Sequence, residues 1–161
     1  MAIPVAQILS HWSTLIPFFN TSSSEFYENL RKIVMTHDMP NIKMEQVTHK
    51  EGGLLSSSRQ YFRIKNKALV FDVCAAPYGK GFFISWWLYE TEGRAFRVIK
   101  STKVGLFLKD LSSRKTFYQA DNEAMFRSTV HQCVLEAVDK MTEAKGTRLT
   151  ELERQIKPGG K

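Results

Sequence analysis

Apolar and polar positions alternate with a period of two through ALVFDVCAAPYGKGFFISWWLY, from Ala68 to Tyr89. Side chains alternate across a strand, so Leu69, Phe71 and Val73 share one face, while Ala68, Val70, Asp72 and Cys74 share the other. The second half of the run is apolar on both sides. Phe82, Ile84, Trp86 and Leu88 lie on one face, with Phe83, Ser85, Trp87 and Tyr89 opposite. Such a strand needs covering twice, so helices are expected on one face and a further cover or a partner on the other. Pro77, Gly79 and Gly81 between the two runs suit a hairpin turn. A phosphate-binding loop would need wider glycine spacing and a following helix, whereas here a strand follows.

Upstream, Val5, Ile8, Leu9, Trp12, Leu15 and Ile16 recur at helical spacing and predict an amphipathic helix over Ile3–Ile16, ended by Pro17. His11 falls on its polar side, where a surface histidine is expected. Ser22 with Glu25 three residues on forms a capping-box pattern and starts a second helix, which runs to Thr36 and buries Phe26, Leu30, Ile33 and Val34. His37 closes that helix at the end favoured by its dipole. Lys43–Lys50 reads as an edge strand. Arg59–Lys65 alternates more clearly, with Asn66-Lys67 as a hairpin turn. In that register Tyr61 opposes Asp72, with Arg59 and Arg63 as diagonal neighbours.

Downstream, Arg94–Lys115 alternates as one or two strands, and Thr116–Gln119 reads as a short strand. A long helix then runs from Asp121, a credible N-cap, to Lys145, with Phe126, Val130, Cys133, Val134, Ala137, Val138 and Met141 on one face. His131 sits at the edge of that face. The expected fold is α+β: an antiparallel sheet of about four to six strands, two N-terminal helices and a long C-terminal helix packed across the sheet. Residues 1–146 form the single domain, and residues 147–161 are a charged tail expected to be partly disordered.

Charge changes this picture in one place. The chain of 161 residues carries a net charge of +7, but residues 1–93 contribute +1 and residues 116–161 nothing. Arg94, Arg97, Lys100, Lys103, Lys109, Arg114 and Lys115 face only Asp110 in their segment, which leaves +6 there. Such a block attracts a nucleic acid or an anionic membrane surface in a salt-dependent way. The plainer reading is a solvated edge kept soluble by its lysines. Aromatic residues interleave with these cations, but no RNA-recognition, zinc-finger or helix-turn-helix signature accompanies them.

The two cysteines, Cys74 and Cys133, have no metal-ligand spacing and read as buried thiols. No stretch has the roughly 20 apolar residues of a membrane helix, and the start of the chain lacks the pattern of a signal peptide, so a cytoplasmic location is expected. No cofactor is implied.

FDVCAAPYGKGFFISWW, together with TFYQADNEAMFRSTVHQCVLEAVDKMTEAKG, resembles a family of uncharacterised bacterial proteins. The resemblance covers most of the chain and implies a bacterial, non-secreted protein. It carries no activity and assigns no residue a role.

Asp72 is the residue with most chemistry to explain, because a carboxylate in an apolar strand must be paired, hydrogen-bonded or protonated. A cross-strand ion pair with a tyrosine hydrogen bond answers this structurally. A pocket answers it functionally, lined by Arg59, Tyr61, Arg63, Asp72, Trp87 and His131 between sheet and C-terminal helix. No nucleophile–base pair is recognisable. The primary expectation is therefore a non-catalytic binding protein that self-associates into a homo-oligomer through its aromatic sheet surface and contacts an anionic partner through residues 94–115. The alternative is a small-molecule binder or small enzyme using that pocket.

Overall fold

A computed structural model describes residues 7–50, 58–91, 115–143, 145–146 and 148–156. The elements run β1 (Gln7–Pro17), α1 (Ser23–Thr36), β2 (Ile42–Lys50), β3 (Ser58–Asn66), β4 (Leu69–Tyr78), β5 (Gly81–Glu90), α2 (Phe117–Glu143) and a short α3 (Glu151–Arg154). The strands form one antiparallel sheet of five in the order β1-β5-β4-β3-β2. The α+β architecture and the long C-terminal helix are as expected; the pair of N-terminal helices is not.

The first predicted helix is the strand β1. Its sequence satisfies both periods, because Trp12, Thr14 and Ile16 also alternate, and these three are buried while Ser13 and Leu15 are exposed. The choice is made at long range. The outer edge of β5 carries backbone groups that need partners, and β1 supplies them from Gln7 to Pro17. The register shifts between Ile8 and Ser10, so Leu9 is an inserted residue, and it packs toward the core. This bulge lets the apolar positions of Ile8 and Leu9 mimic a helical stripe.

Helix α1 begins as expected. The Ser22 hydroxyl accepts from the Glu25 backbone N–H at 3.1 Å, but the Glu25 carboxylate accepts from the Thr21 hydroxyl at 2.8 Å, so only half of the capping box forms. Tyr27 joins its buried stripe and fastens it to the sheet. Its hydroxyl donates to the Gln60 carbonyl at 2.8 Å and accepts from the Ala75 N–H at 3.0 Å. Helix α2 starts before Asp121, at Phe117. The Thr116 hydroxyl accepts from the Gln119 N–H at 3.2 Å, and the Gln119 side chain accepts from the Thr116 N–H at 3.0 Å. That reciprocal cap replaces the strand predicted over 116–119. Phe117 and Tyr118 are exposed in the first turn, so no buried periodicity marks it.

Helices α1 and α2 pack together on one face of the sheet. Tyr27 stacks over Phe62 and Phe26 meets Phe82 from α1, while Phe126 meets Phe71 edge-on from α2. Phe62, Ile64, Phe71, Phe82, Ile84, Trp86 and Leu88 are fully buried beneath them. Residues 79–80 make the β4–β5 turn, with Gly79 at φ +58°, as the hairpin reading required. Gly81 follows for a different reason: a Cβ there would lie 2.9 Å from the Ile16 carbonyl oxygen. The β3–β4 turn moves to Lys67-Ala68, pairing Asn66 with Leu69. Lys67 takes the positive φ of +54° that this tight connection needs. The shift keeps every side chain on its predicted face but places Arg63, not Tyr61, opposite Asp72.

Candidate functional site

The face of the sheet turned away from the described helices carries Arg59, Tyr61, Arg63 and Lys65 from β3, and Val70, Asp72 and Cys74 from β4. Ser85, Trp87 and Tyr89 come from β5, His11 and Leu15 from β1, and Glu45 and His49 from β2. Antiparallel alternation alone brings them together. Asp72 stands at the centre with 6% exposure. Arg63 grips it at both oxygens, Nε to Oδ1 at 2.7 Å and Nη2 to Oδ2 at 2.7 Å. The Tyr89 hydroxyl donates to Oδ2 at 2.8 Å and accepts from Arg63 Nη2 at 3.0 Å. Glu45 approaches the same guanidinium at 4.0 Å.

Each partner's proton affinity follows from this packing. The hydrogen bond to Asp72 holds the Arg63 guanidinium more firmly protonated, against the cost of its burial. Burial, then the neighbouring Asp72 carboxylate, pushes the Tyr89 phenol up. Tyr61 and Cys74 are both raised by burial first. For Cys74, Arg59 acts in the opposite direction through its charge and a side-chain hydrogen bond. Neither group is poised as a nucleophile, since a buried thiol with a raised pKa stays protonated.

His49 completes the cluster in an ambiguous position. Its Nε2 lies 3.2 Å from Arg63 Nη2, a donor, and 3.4 Å from Asp72 Oδ2, an acceptor. With a lone pair on Nε2 the ring accepts from Arg63; with a hydrogen on Nε2 it donates to Asp72, so the tautomer alone switches the partner. Tyr61 packs beside it, with ring centroids 5.0 Å apart. On the β1–β5 side the chemistry gives way to an aromatic surface. Trp87 stacks on His11 at 3.7 Å with 19° between planes, and His11 Nδ1 donates to the Trp86 carbonyl at 2.8 Å. Trp87, Leu15 and Ile8 are 36%, 46% and 53% exposed.

Five of the six predicted pocket residues share this face: Arg59, Tyr61, Arg63, Asp72 and Trp87. His131 does not join them. It lies beneath α2 on the opposite face, where its Nδ1 accepts from the Trp86 indole N–H at 3.0 Å and its Nε2 donates to the Arg154 carbonyl at 2.6 Å. The sheet itself therefore separates His131 from Asp72. Of the basic block, Arg94, Arg97, Lys100, Lys103, Lys109 and Arg114 lie outside the described residues, and Lys115 is ion-paired with Glu123 on α2. Tyr89 and His49 enter the site without having been singled out from the sequence, and His11, read there as a surface histidine on a helix, joins them from a strand. Tyr89 was legible through its alternation with Trp87, but His49 required the register of the edge strand, and His11 required β1 to be a strand.

Cys74 and Cys133 are buried free thiols, and burial pushes Cys133 up to about 12. Among the described residues no group of three or more histidine, cysteine and acidic side chains is arranged to hold a metal. No described helix is long and apolar enough to cross a membrane. No family model matches the chain, and no curated protein or solved structure matches it either.

Proposed function

We propose that this is a non-catalytic binding protein that self-associates through the β1–β5 end of the sheet face opposite its helices, and that its basic block at 94–115 contacts an anionic partner. The observation that carries the reading is the exposed Trp87, stacked on His11, with the exposed Ile8 and Leu15 on the same face of β1, opposite Tyr89 and Phe83. Large apolar side chains grouped on a sheet face are the usual core of a protein contact, with tryptophan prominent among them. The neighbouring polar cluster supports the same reading. Both oxygens of Asp72 already accept hydrogen bonds from Arg63 or Tyr89, which favours a structural role for this carboxylate. The second reading, a small-molecule site on this face, rests on the two-way contact of His49 and is tested by a ligand screen on thermal stability.

Light scattering coupled to size-exclusion chromatography tests the first half. The native chain should elute as an oligomer, and Trp87→Ser with Leu15→Ser should elute as a monomer with unchanged secondary structure. A native monomer at all concentrations overturns self-association. For the second half, binding to nonspecific nucleic acid and to anionic vesicles is titrated with salt. Lys100→Glu, Lys103→Glu and Lys109→Glu together should abolish whichever binding occurs. Binding to neither, or binding indifferent to those changes, reduces the block to a solubility device.

A further inference from the structure

The C-terminal segment 148–156 packs on the helix-covered side of the domain. Leu149 is buried there and Ile156 packs against the core. The segment folds into the single turn α3, capped reciprocally at Thr150. The Thr150 hydroxyl accepts from the Glu153 N–H at 3.4 Å, and the Glu153 carboxylate accepts from the Thr150 N–H at 2.8 Å. The last carbonyls of such a turn have no partner within it. Here two side chains of the domain supply one each. Trp12 Nε1 donates to the Glu153 carbonyl at 2.8 Å, and His131 Nε2 donates to the Arg154 carbonyl at 2.6 Å. The two rings also meet edge-on at 5.2 Å.

The proton inventory of His131 is dictated by its neighbours. An indole N–H can only donate and a backbone carbonyl can only accept. Trp86 therefore requires a bare Nδ1, and Arg154 requires a proton on Nε2, which together make the ring neutral in one tautomer. A second proton would sit on Nδ1 and confront the Trp86 N–H across 3.0 Å. Trp86 is fully buried and in the middle of β5, so it cannot turn aside. The ring must leave it, and the carbonyl it holds must follow or be lost.

We propose that His131, with Trp12, forms a pH-operated latch: the neutral imidazole holds segment 148–156 against the domain, and its protonation in mild acid releases that segment while the sheet stays folded.

The direction follows from linkage. Burial lowers the His131 pKa below 6.5, and the bond to the Arg154 carbonyl opposes that shift without cancelling it. Release uncovers the ring and returns it toward an ordinary affinity for protons. The released state thus binds protons more readily, so the latch is whole above the ordinary histidine range and weakens as pH falls through the lowered value. Among the described residues, the charged groups on the elements around the ring have other positions or other partners. Arg127 is one turn earlier on α2; Asp139 and the Arg154 guanidinium pair with each other; the Glu153 carboxylate is held at Thr150. The side chains that meet the ring from β1 and β5 are the uncharged Trp12 and Trp86.

Hydrogen exchange of the full chain, read by mass spectrometry and corrected for intrinsic exchange, tests this between about pH 7.5 and about pH 5. Protection of 148–156 should fall by up to about tenfold per pH unit once His131 begins to protonate, while β4 and β5 keep theirs. Side-chain nitrogen spectra of the four histidines should show His131 as the Nε2–H tautomer, titrating with the same midpoint as the loss of protection. In His131→Gln the pH dependence should vanish. Equal protection at both pH values, a midpoint that tracks another histidine, or a proton on Nδ1 at neutral pH each overturns the latch. The spectra and exchange of the native chain decide the matter even if the variant does not fold.

Discussion

Trp86 and Trp87 are neighbours in sequence, point to opposite faces of the sheet, and each meets a histidine. Trp86 is fully buried and gives its indole N–H to His131. Trp87 is 36% exposed and lies flat on His11. The same contrast holds for the polar groups around them. On the covered face, polar atoms are neutral and satisfied one to one: indole to imidazole, imidazole to carbonyl, indole to carbonyl. On the other face, a buried Asp72 and a half-buried Arg63 form a charged pair, and Tyr89 and His49 crowd the same atoms. A neutral network tolerates deep burial because each hydrogen bond replaces one to water. A charge pair needs both members present, because either one alone is a buried ion. The difference teaches where this fold is brittle and where it is responsive: the charged side fails by losing a partner, the neutral side by gaining a proton.

Substitutions can break that contrast. The largest effect belongs to Asp72→Ala, which leaves the half-buried Arg63 guanidinium without its bidentate partner and should cost up to about 3–5 kcal/mol in denaturant unfolding. Adding Arg63→Met should recover most of it; no recovery would mean that the pair supplies more than mutual compensation. If Arg63 swings to Glu45, 4.0 Å away, the loss will fall at the low end of that range or beneath it. Next comes Trp86→Phe, which keeps an aromatic ring but strips Nδ1 of its donor. It should cost about 1–3 kcal/mol and raise the His131 pKa, since a bare Nδ1 no longer faces an N–H. Smallest is Trp87→Ala. Loss of the His11 stack should cost about 0.5–1.5 kcal/mol, and the proposed self-association through this face should be lost with it. A stability loss at Trp87 as large as at Trp86 would erase the distinction between the two faces.

Much of this fold was legible residue by residue. The β4–β5 hairpin followed from alternation around Gly79, the start of α1 from Ser22 and Glu25, and the buried stripe of α2 from its period. Of the two readings of Asp72, the contacts present are those of the ion pair, a cross-strand arginine with a tyrosine, and they differ in detail from the expected ones. The turn sits one residue later than expected, so Arg63 rather than Tyr61 stands opposite, and the hydroxyl comes from Tyr89 on the neighbouring strand. A turn of lysine and alanine carries no residue type that marks its position. The N-terminal strand was misread because Trp12, Leu15 and Ile16 obey a helical period as well as an alternating one. The start of α2 was missed because its first turn buries nothing.

Alternation by itself determined which side chains share a face, since that parity survives a two-residue change of register and even an error in the turn. It also determined that Asp72 needs a partner and that a double-faced strand runs from Phe82 to Tyr89. Only the tertiary structure decided that β1 completes the sheet, that His131 and Asp72 lie on opposite sides of it, and that Trp12 and His131 close over the segment at 148–156. Those outcomes depend on contacts between residues far apart in the chain. Hydrogen bonding of a free strand edge and burial of an apolar face are properties of the assembled sheet, and local sequence periods do not contain them.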